Sequence, residues 1–398
     1  MHDNNSLTRR AFLTASVLAT ISARTDATTV PLSQTTASLG AKAGEQLTDN
    51  SERRLTIAMW DFSWLHAHHP GGAYEHLERR VAEAAERGYN TLRVDCFPSR
   101  YAEKESRFEK NWKAGVNLPQ WGQTSVAFTC DVRKEVANLA KISRKHGIRL
   151  GLDSWDKPHM FGHTNVIAEV DEEREFTRFG EVWGAALKMM REDGVLDQAA
   201  WVAPMNEVPH YTSRGLESIR KVMVRPLDEG ETVLSKAADQ DEIHRRVNHW
   251  MGLPIRAEIE SDRIPLSYSS LGSERYNQRL TDIYDMVDVH FMPGVITDAE
   301  DNAAFATAIR GVKPPHRFNE FEKMDLKAWS VAWDNSCRKH YRKMLERVRS
   351  FHTTALQHMT LPSGKKLRAV QTEPFGPCFW PDHPDVNWNG INAIMLTP

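Results

Sequence analysis

Two glutamates carry the clearest chemical signal in the chain. Asn206-Glu207 closes a strand-like run, Ala199–Met205, with Pro209 just beyond it. Glu373 closes another, Leu367–Thr372, within Gln371-Thr372-Glu373-Pro374-Phe375-Gly376. Two carboxyls on opposite sides of an acetal carbon can break its bond: one protonates the leaving oxygen, the other attacks the carbon or activates water. Taken singly, each also reads as an ordinary exposed carboxylate. Arg93 ends the run Gly88-Tyr89-Asn90-Thr91-Leu92-Arg93. It could hold a nearby carboxylate ionised, or form a plain surface ion pair. His290, in Asp288-Val289-His290, divides evenly between a structural histidine and one that orients a carboxylate or binds a hydroxyl. Asp95 and Asp153 also end strands, where they can cap helices or pair with Arg and Lys. Asp61 stands beside a strand end, as do Trp60, Trp64, Trp155 and Trp380. Their indoles suit stacking on sugar rings as well as core packing.

A second constellation, His66, His68 and His69, contains a His-x-His after the first strand, as in metal-dependent hydrolase barrels. Such a site wants further ligands on later strands. His290 is one candidate, but the fourth and fifth strands supply Glu207 and Ser267/Ser269 rather than a Lys and a His. The triplet runs into Pro70-Gly71-Gly72 and reads as a loop, so no metal or other cofactor is expected. Cys96 and Cys378 lack the flanking base of a nucleophilic thiol.

The elements that must position these residues alternate. Strand-like runs cover 55–60, 89–95, 148–153, 199–205, 264–269, 286–291 and 367–372. Amphipathic helical segments lie between them: one with Tyr74, Leu77, Val81 and Ala84 on a face, one with Val132, Val136, Leu139 and Ala140, one over 172–192, and others near 241–251, 273–283 and 328–358. Alternation of this kind predicts an α/β fold with a parallel sheet. No glycine-rich phosphate loop follows the first strand, which disfavours the doubly wound nucleotide-binding form. Chemistry spread over many strand ends is the habit of a (β/α)8 TIM barrel. Only 373–398 follow the seventh run, so the pattern predicts either an unrecognised eighth strand or a barrel lacking its last strand–helix unit at the C-terminus. The charged stretch 210–262 reads as an insertion on the outside or over the mouth.

Composition narrows the function. The 398 residues suit one large domain or two ordinary ones. Lys and Arg total 51 against 53 Asp and Glu, so no field of one sign exists for nucleic acid or an anionic membrane surface. A mean hydropathy of −0.53 and the lack of a long apolar run exclude a multi-span membrane protein. Four cysteines without a C-x-x-C pair exclude a disulfide scaffold and argue against structural zinc. Residues 1–27 read as a twin-arginine export signal, with Arg9-Arg10 directly before the apolar stretch Ala11–Ala23. Residues 28–52, rich in Thr, Ser, Ala and Gln, read as a linker before a barrel over 53–398. The expected location is periplasmic or extracellular.

Over roughly 55–385 the chain resembles clan A glycoside hydrolases, most of all the cellulase-like proteins related to glycoside hydrolase family five. The resemblance rests on four motifs in strand order: Gly88-Tyr89-Asn90-Thr91-Leu92-Arg93, Asn206-Glu207, Asp288-Val289-His290 and the Glu373 strand end. It implies a retaining glycoside hydrolase with no cofactor and a carbohydrate substrate. Glu207 would be the acid/base and Glu373 the nucleophile, with Arg93 supporting Glu373. Asn206 would donate to a sugar 2-hydroxyl, and His290, Trp60, Asp61, Trp155 and Trp380 would line the site. The chain departs from the family at Val208, where Pro often follows the acid/base, and at Met292, where a Tyr often bonds the nucleophile. A non-catalytic carbohydrate-binding barrel is the nearest alternative function, and a metal-dependent hydrolase the next.

Overall fold

A computed structural model of the chain describes residues 56–57, 63–66, 68–72, 74–108, 127–154, 172–207, 237–271, 275–290, 298–308, 325–370 and 372. In chain order the strands are β1 (Thr56–Ile57), β2 (Thr91–Asp95), β3 (Ser106–Phe108), β4 (Phe128–Cys130), β5 (Arg149–Asp153), β6 (Ala199–Val202), β7 (Ser267–Leu271), β8 (Met286–His290) and β9 (Arg368–Val370). The helices are α1 (Ser63–His66), α2 (Leu77–Glu86), α3 (Val132–Lys145), α4 (Glu172–Glu192), α5 (Ala237–Ile259), α6 (Tyr276–Arg279), α7 (Ala299–Ala308) and α8 (Leu326–Gln357).

Seven strands run parallel in sequence order. β1, β2, β5 and β6 form one sheet, and β7, β8 and β9 form another. A parallel bridge from Val202 to Leu266, with Val202 N donating to Pro265 O at 2.9 Å, joins β6 to the chain entering β7. This is the order of a (β/α) barrel through its seventh strand. Among the described residues, β1 and β9 do not pair with each other. β3 and β4 form a separate antiparallel pair, which the sequence did not announce.

Along β2, β5, β6 and β8 both faces of the sheet are buried, whereas β9 is largely exposed, and the two faces differ in chemistry. Leu92, Val94, Leu150, Leu152, Val202, Tyr268, Val287 and Val289 pack into one apolar cluster with Val81 of α2, Leu139 of α3, Trp183 of α4 and Ile255 of α5. Period-2 alternation turns the intervening residues the other way. These are Thr91, Arg93, Gly151, Asp153, Ser267, Ser269, Asp288 and His290. β2, β5, β7 and β8 thus give one face to the helices and the other to the site.

Helix ends follow from local chemistry. Asp131 caps α3 by accepting from Lys134 N at 3.1 Å, and Asp325 caps α8 by accepting from Ala328 N at 2.9 Å. The helical segment expected near 241–251, within the stretch read as an insertion, is the longer helix α5 over 237–259, packed along α4. That contact needs Gly180: a Cβ there would run into the Met251 carbonyl and the Pro254 ring. The expected helix over 273–283 is reduced to the single turn α6, although Tyr276, Leu280 and Tyr284 are buried all the same.

Candidate active site

The polar face converges at the carboxyl ends of the strands. Arg93, on β2 beside Gly151 in the ladder, is wholly buried. Its guanidinium donates to Asp153 on β5, to Asn206 beyond β6, and to Thr372 Oγ1 beyond β9 at 3.1 Å. Asp288 Oδ2 on β8 lies 4.0 Å from its Nε. Asp288 in turn accepts from Thr372 twice, from the amide at 3.0 Å and from the hydroxyl at 2.5 Å. One side chain therefore ties together the ends of five strands.

Neighbouring glycine and tryptophan make room for this. Trp201 on β6 pairs with Gly151 in register, and its indole lies where any side chain at 151 would stand. Asn206 is held by its backbone, whose amide donates to Ser154 O at 2.8 Å. The turn before it is pinned by Trp183 of α4, whose indole donates to Pro204 O at 2.7 Å. Glu207 follows with φ of 52°, the left-handed region that a residue with a Cβ seldom occupies. Strain of this kind costs about 1–3 kcal/mol and gathers at functional positions.

A directed chain of hydrogen bonds ends on Glu207. Arg93 can only donate, so the Asn206 atom that meets it is the oxygen, Oδ1. Ser269 Oγ lies 3.0 Å from the same oxygen and spends its single proton there. Ser269 Oγ also accepts from Glu207 N at 3.1 Å. His290 Nε2, 3.2 Å away, must then be the donor to Ser269. Asp288 Oδ2, 3.4 Å from Nε2, demands a proton on the same nitrogen. That leaves Nδ1, 2.9 Å from Glu207 Oε1. A neutral imidazole with its proton on Nε2 is an acceptor at Nδ1, so the Glu207 carboxyl supplies the proton between them. If the proton moves across, the pair is imidazolium and carboxylate. Either way Glu207 and His290 share one proton.

Charge counting agrees. Among the described residues, Arg93 is the permanent cation of a cluster that buries three carboxyls, Asp153 and Asp288 beside it and Glu207 next to Asn206. Complete burial pushes the Asp153 carboxyl above the usual range, despite the Arg93 guanidinium and the Ser154 amide. Burial also opposes ionisation of Asp288. There the His290 and Arg93 charges and the Thr372 hydroxyl outweigh it and hold the carboxyl below its ordinary value.

The sequence-derived residues therefore divide. Arg93, Asn206, Glu207 and His290 meet in one cluster. Arg93 contacts Asp153, Asn206 and Thr372, and its expected partner Glu373 lies outside the described residues, as do Trp60, Asp61, Trp155 and Trp380; Trp64 is buried in the core edge-on to Tyr74 and lines no sugar site. Asp153 takes the plainer of its two readings, as partner of an arginine, and Asp95 accepts from Phe97 N at 2.9 Å in a local turn. Sequence reasoning missed Asp288, Ser269 and Thr372 as members. The signal available for Asp288 was its period-2 relation to His290, which puts both on one face. The histidines after β1 go elsewhere: His68 Nδ1 meets Glu135 of α3 at 2.7 Å, and His69 packs on Phe128. Asp298, Asp301 and His340 bring ligand atoms within 4.8 Å of one another. The Lys339 ammonium already stands 2.6 Å from Asp298 there. Among the described residues no helix is long and apolar enough to cross a membrane.

A parallel sheet in sequence order, with a buried polar cluster at its strand ends, defines a (β/α)-type scaffold. The model of the sugar-binding cellulase-like family matches residues 57–354, and the chain belongs to that family. No curated protein matches the sequence. Among solved structures, a candidate glycoside hydrolase from Parabacteroides distasonis is 18% identical, with 86% of this chain and 81% of that one covered and a TM-score of 0.54. A family five broad-specificity endoglucanase from Clostridum cellulovorans is 10% identical over 87% and 94% of the two chains, at a TM-score of 0.38. A family five xyloglucanase from Bacteroides ovatus is 11% identical over 86% and 74%, at a TM-score of 0.36.

Proposed function

We propose that the chain is a retaining glycoside hydrolase on a (β/α)8 barrel, with Glu207 as acid/base and Glu373 as nucleophile. The observation that carries this is the directed chain from Arg93 to Glu207, which leaves a proton on the Glu207–His290 pair. A general acid needs that proton near neutral pH, and burial among carboxyls supplies it. In the first step Glu207 gives its proton to the glycosidic oxygen. The bond from that oxygen to the anomeric carbon breaks, and the Glu373 carboxylate bonds to the carbon. In the second step Glu207 takes a proton from water, whose oxygen displaces Glu373. Asn206 has its oxygen committed to Arg93 and Ser269, so its nitrogen is the end that can donate to a sugar hydroxyl. Trp60, Trp155 and Trp380 would supply stacking surfaces. The substrate is a carbohydrate, and the Arg9-Arg10 leader supports action outside the cytoplasm.

The test is turnover of aryl glycosides by Glu207→Gln and Glu373→Gln. The first should lose about 10²–10⁴-fold on a phenyl glycoside, whose departure needs a proton. It should lose far less on a dinitrophenyl glycoside, whose departure does not. The second should lose activity on both. Sugar binding with no rate change in either variant would refute hydrolysis and leave a binding barrel.

A further inference from the structure

Asp288 stands at a junction that the reaction above does not use. It is buried on β8, two residues before His290, and it touches the supports of both proposed catalytic carboxyls. On one side its Oδ2 lies 3.4 Å from His290 Nε2, the far nitrogen of the ring that shares a proton with Glu207. On the other its two oxygens grip the amide and hydroxyl of Thr372, the residue before Glu373. We propose that Asp288 is a positioning residue for both halves of the reaction: its charge keeps the shared proton on the Glu207–His290 pair, and its clamp on Thr372 fixes the start of the segment bearing Glu373. The inference rests on the reading of Glu207 as the acid.

The sign does not depend on which member of the pair holds the proton. With it, the pair is neutral overall; without it, the pair carries one negative charge, so its titration belongs to both groups. An anionic Asp288 resists that loss and holds the proton to higher pH. The other charged groups facing the pair, among the described residues, are Arg93 on β2 and Asp153 on β5. Arg93 favours loss of the proton, and an ionised Asp153 would oppose it. Both remain in place when Asp288 alone is changed. Ser269 and Thr372 are neutral.

Asp288→Asn tests this, because an amide keeps the shape and one acceptor for the Thr372 amide but removes the charge. The readout is the pH profile of kcat/KM on the phenyl and dinitrophenyl glycosides of one sugar that the wild-type chain turns over. The alkaline limb for the phenyl glycoside should move down by about 1–3 pH units, the usual effect of one charge at this range. The loss at neutral pH should be larger for the phenyl than for the dinitrophenyl substrate. A residue that merely supported the fold would lower both rates together and leave the limb in place. Asp288→Glu is the second variant: it keeps the charge and displaces the clamp. It should hold the limb within about half a unit while kcat falls on both substrates. An unmoved limb in Asp288→Asn, beside a phenyl-selective loss in Glu207→Gln, overturns the role of Asp288 alone. If Asp288→Asn does not fold, full kcat in Asp288→Glu overturns it. If Glu207→Gln shows no phenyl-selective loss, the acid reading fails and takes this inference with it.

Discussion

Replacing Arg93 with Met would expose how the buried cluster is held. Met fills similar volume but makes none of the contacts to Asp153, Asn206, Thr372 and Asp288. Asp153 would remain without exposed surface and without its cation among the described residues, while Asp288 would keep only His290 beside it. Removing one partner of a buried pair costs about 3–5 kcal/mol, because the other charge is left uncompensated. The cost must depend on pH, and the direction follows from linkage. In the wild type the Asp288 carboxyl is held below its ordinary value, so its stabilising share is present above the unfolded pKa and lost as pH falls through the folded one. In the variant Asp153, which burial already pushes up, would lose the opposing Arg93 charge and rise further, so the native state would bind more protons than the unfolded chain and stability would fall as pH rises. For one such proton the difference grows by about 1.4 kcal/mol per pH unit. The assay is urea unfolding of both proteins at pH 7 and pH 5, with fluorescence and circular dichroism required to coincide. We expect a cost of about 3–5 kcal/mol at pH 7, shrinking by at least about 1.4 kcal/mol at pH 5. Arg93→Lys, with charge but no fork, should fall between. A cost below about 1 kcal/mol, the range of exposed pairs, or one equal at both pH values, would refute the charge argument.

Two further substitutions probe the frame around the site. Gly151→Ala should destabilise by about 1–3 kcal/mol, since its methyl would overlap the Trp201 indole; unchanged thermal unfolding would mean that the indole has room to move. Trp183→Phe should cost about 1–3 kcal/mol by stranding the buried Pro204 carbonyl, and should also lower phenyl-glycoside turnover because the turn carrying Asn206 and Glu207 loses its anchor. An activity equal to wild type in a destabilised Trp183→Phe protein would separate that anchor from the site.

The legible part of this fold is the part governed by local periodicity. The runs expected at 148–153 and 286–291 correspond to β5 and β8, because their apolar residues alternate against a helix layer. β7 starts at Ser267 rather than at Ile264, since Pro265 has no amide to donate and Leu266 makes only the single bridge to Val202. Helix α7 went unseen because Ala299–Ala308 carries no apolar stripe to betray it. α5 was partly masked by its charges and by Pro254, a residue that normally ends a helix. For the site, strand ends named Arg93, Asn206, Glu207 and His290. Their mutual contacts were not readable, because Arg93 reaches Thr372 across 279 positions. Nothing local marks Ser269 among the other serines of β7 as the one that bonds Asn206.

A sheet covered on both faces usually reads as a continuous apolar run. Here one buried face instead carries Arg93, Asp153, Asp288 and His290, and a glutamate with positive φ beside them. Such a face lowers stability: its carboxyls outnumber its permanent cation, and its backbone is strained. The apolar layer between sheet and helices must offset that. A chain selected for stability alone would fill the face with Val and Leu, as it does on the other side. On the proposed reading, the excess of carboxyls among the described residues favours keeping one proton within the cluster. The hydrogen-bond directions set by Arg93 place that proton between His290 and Glu207. The same arrangement that costs stability thus creates the one group a proton donor requires.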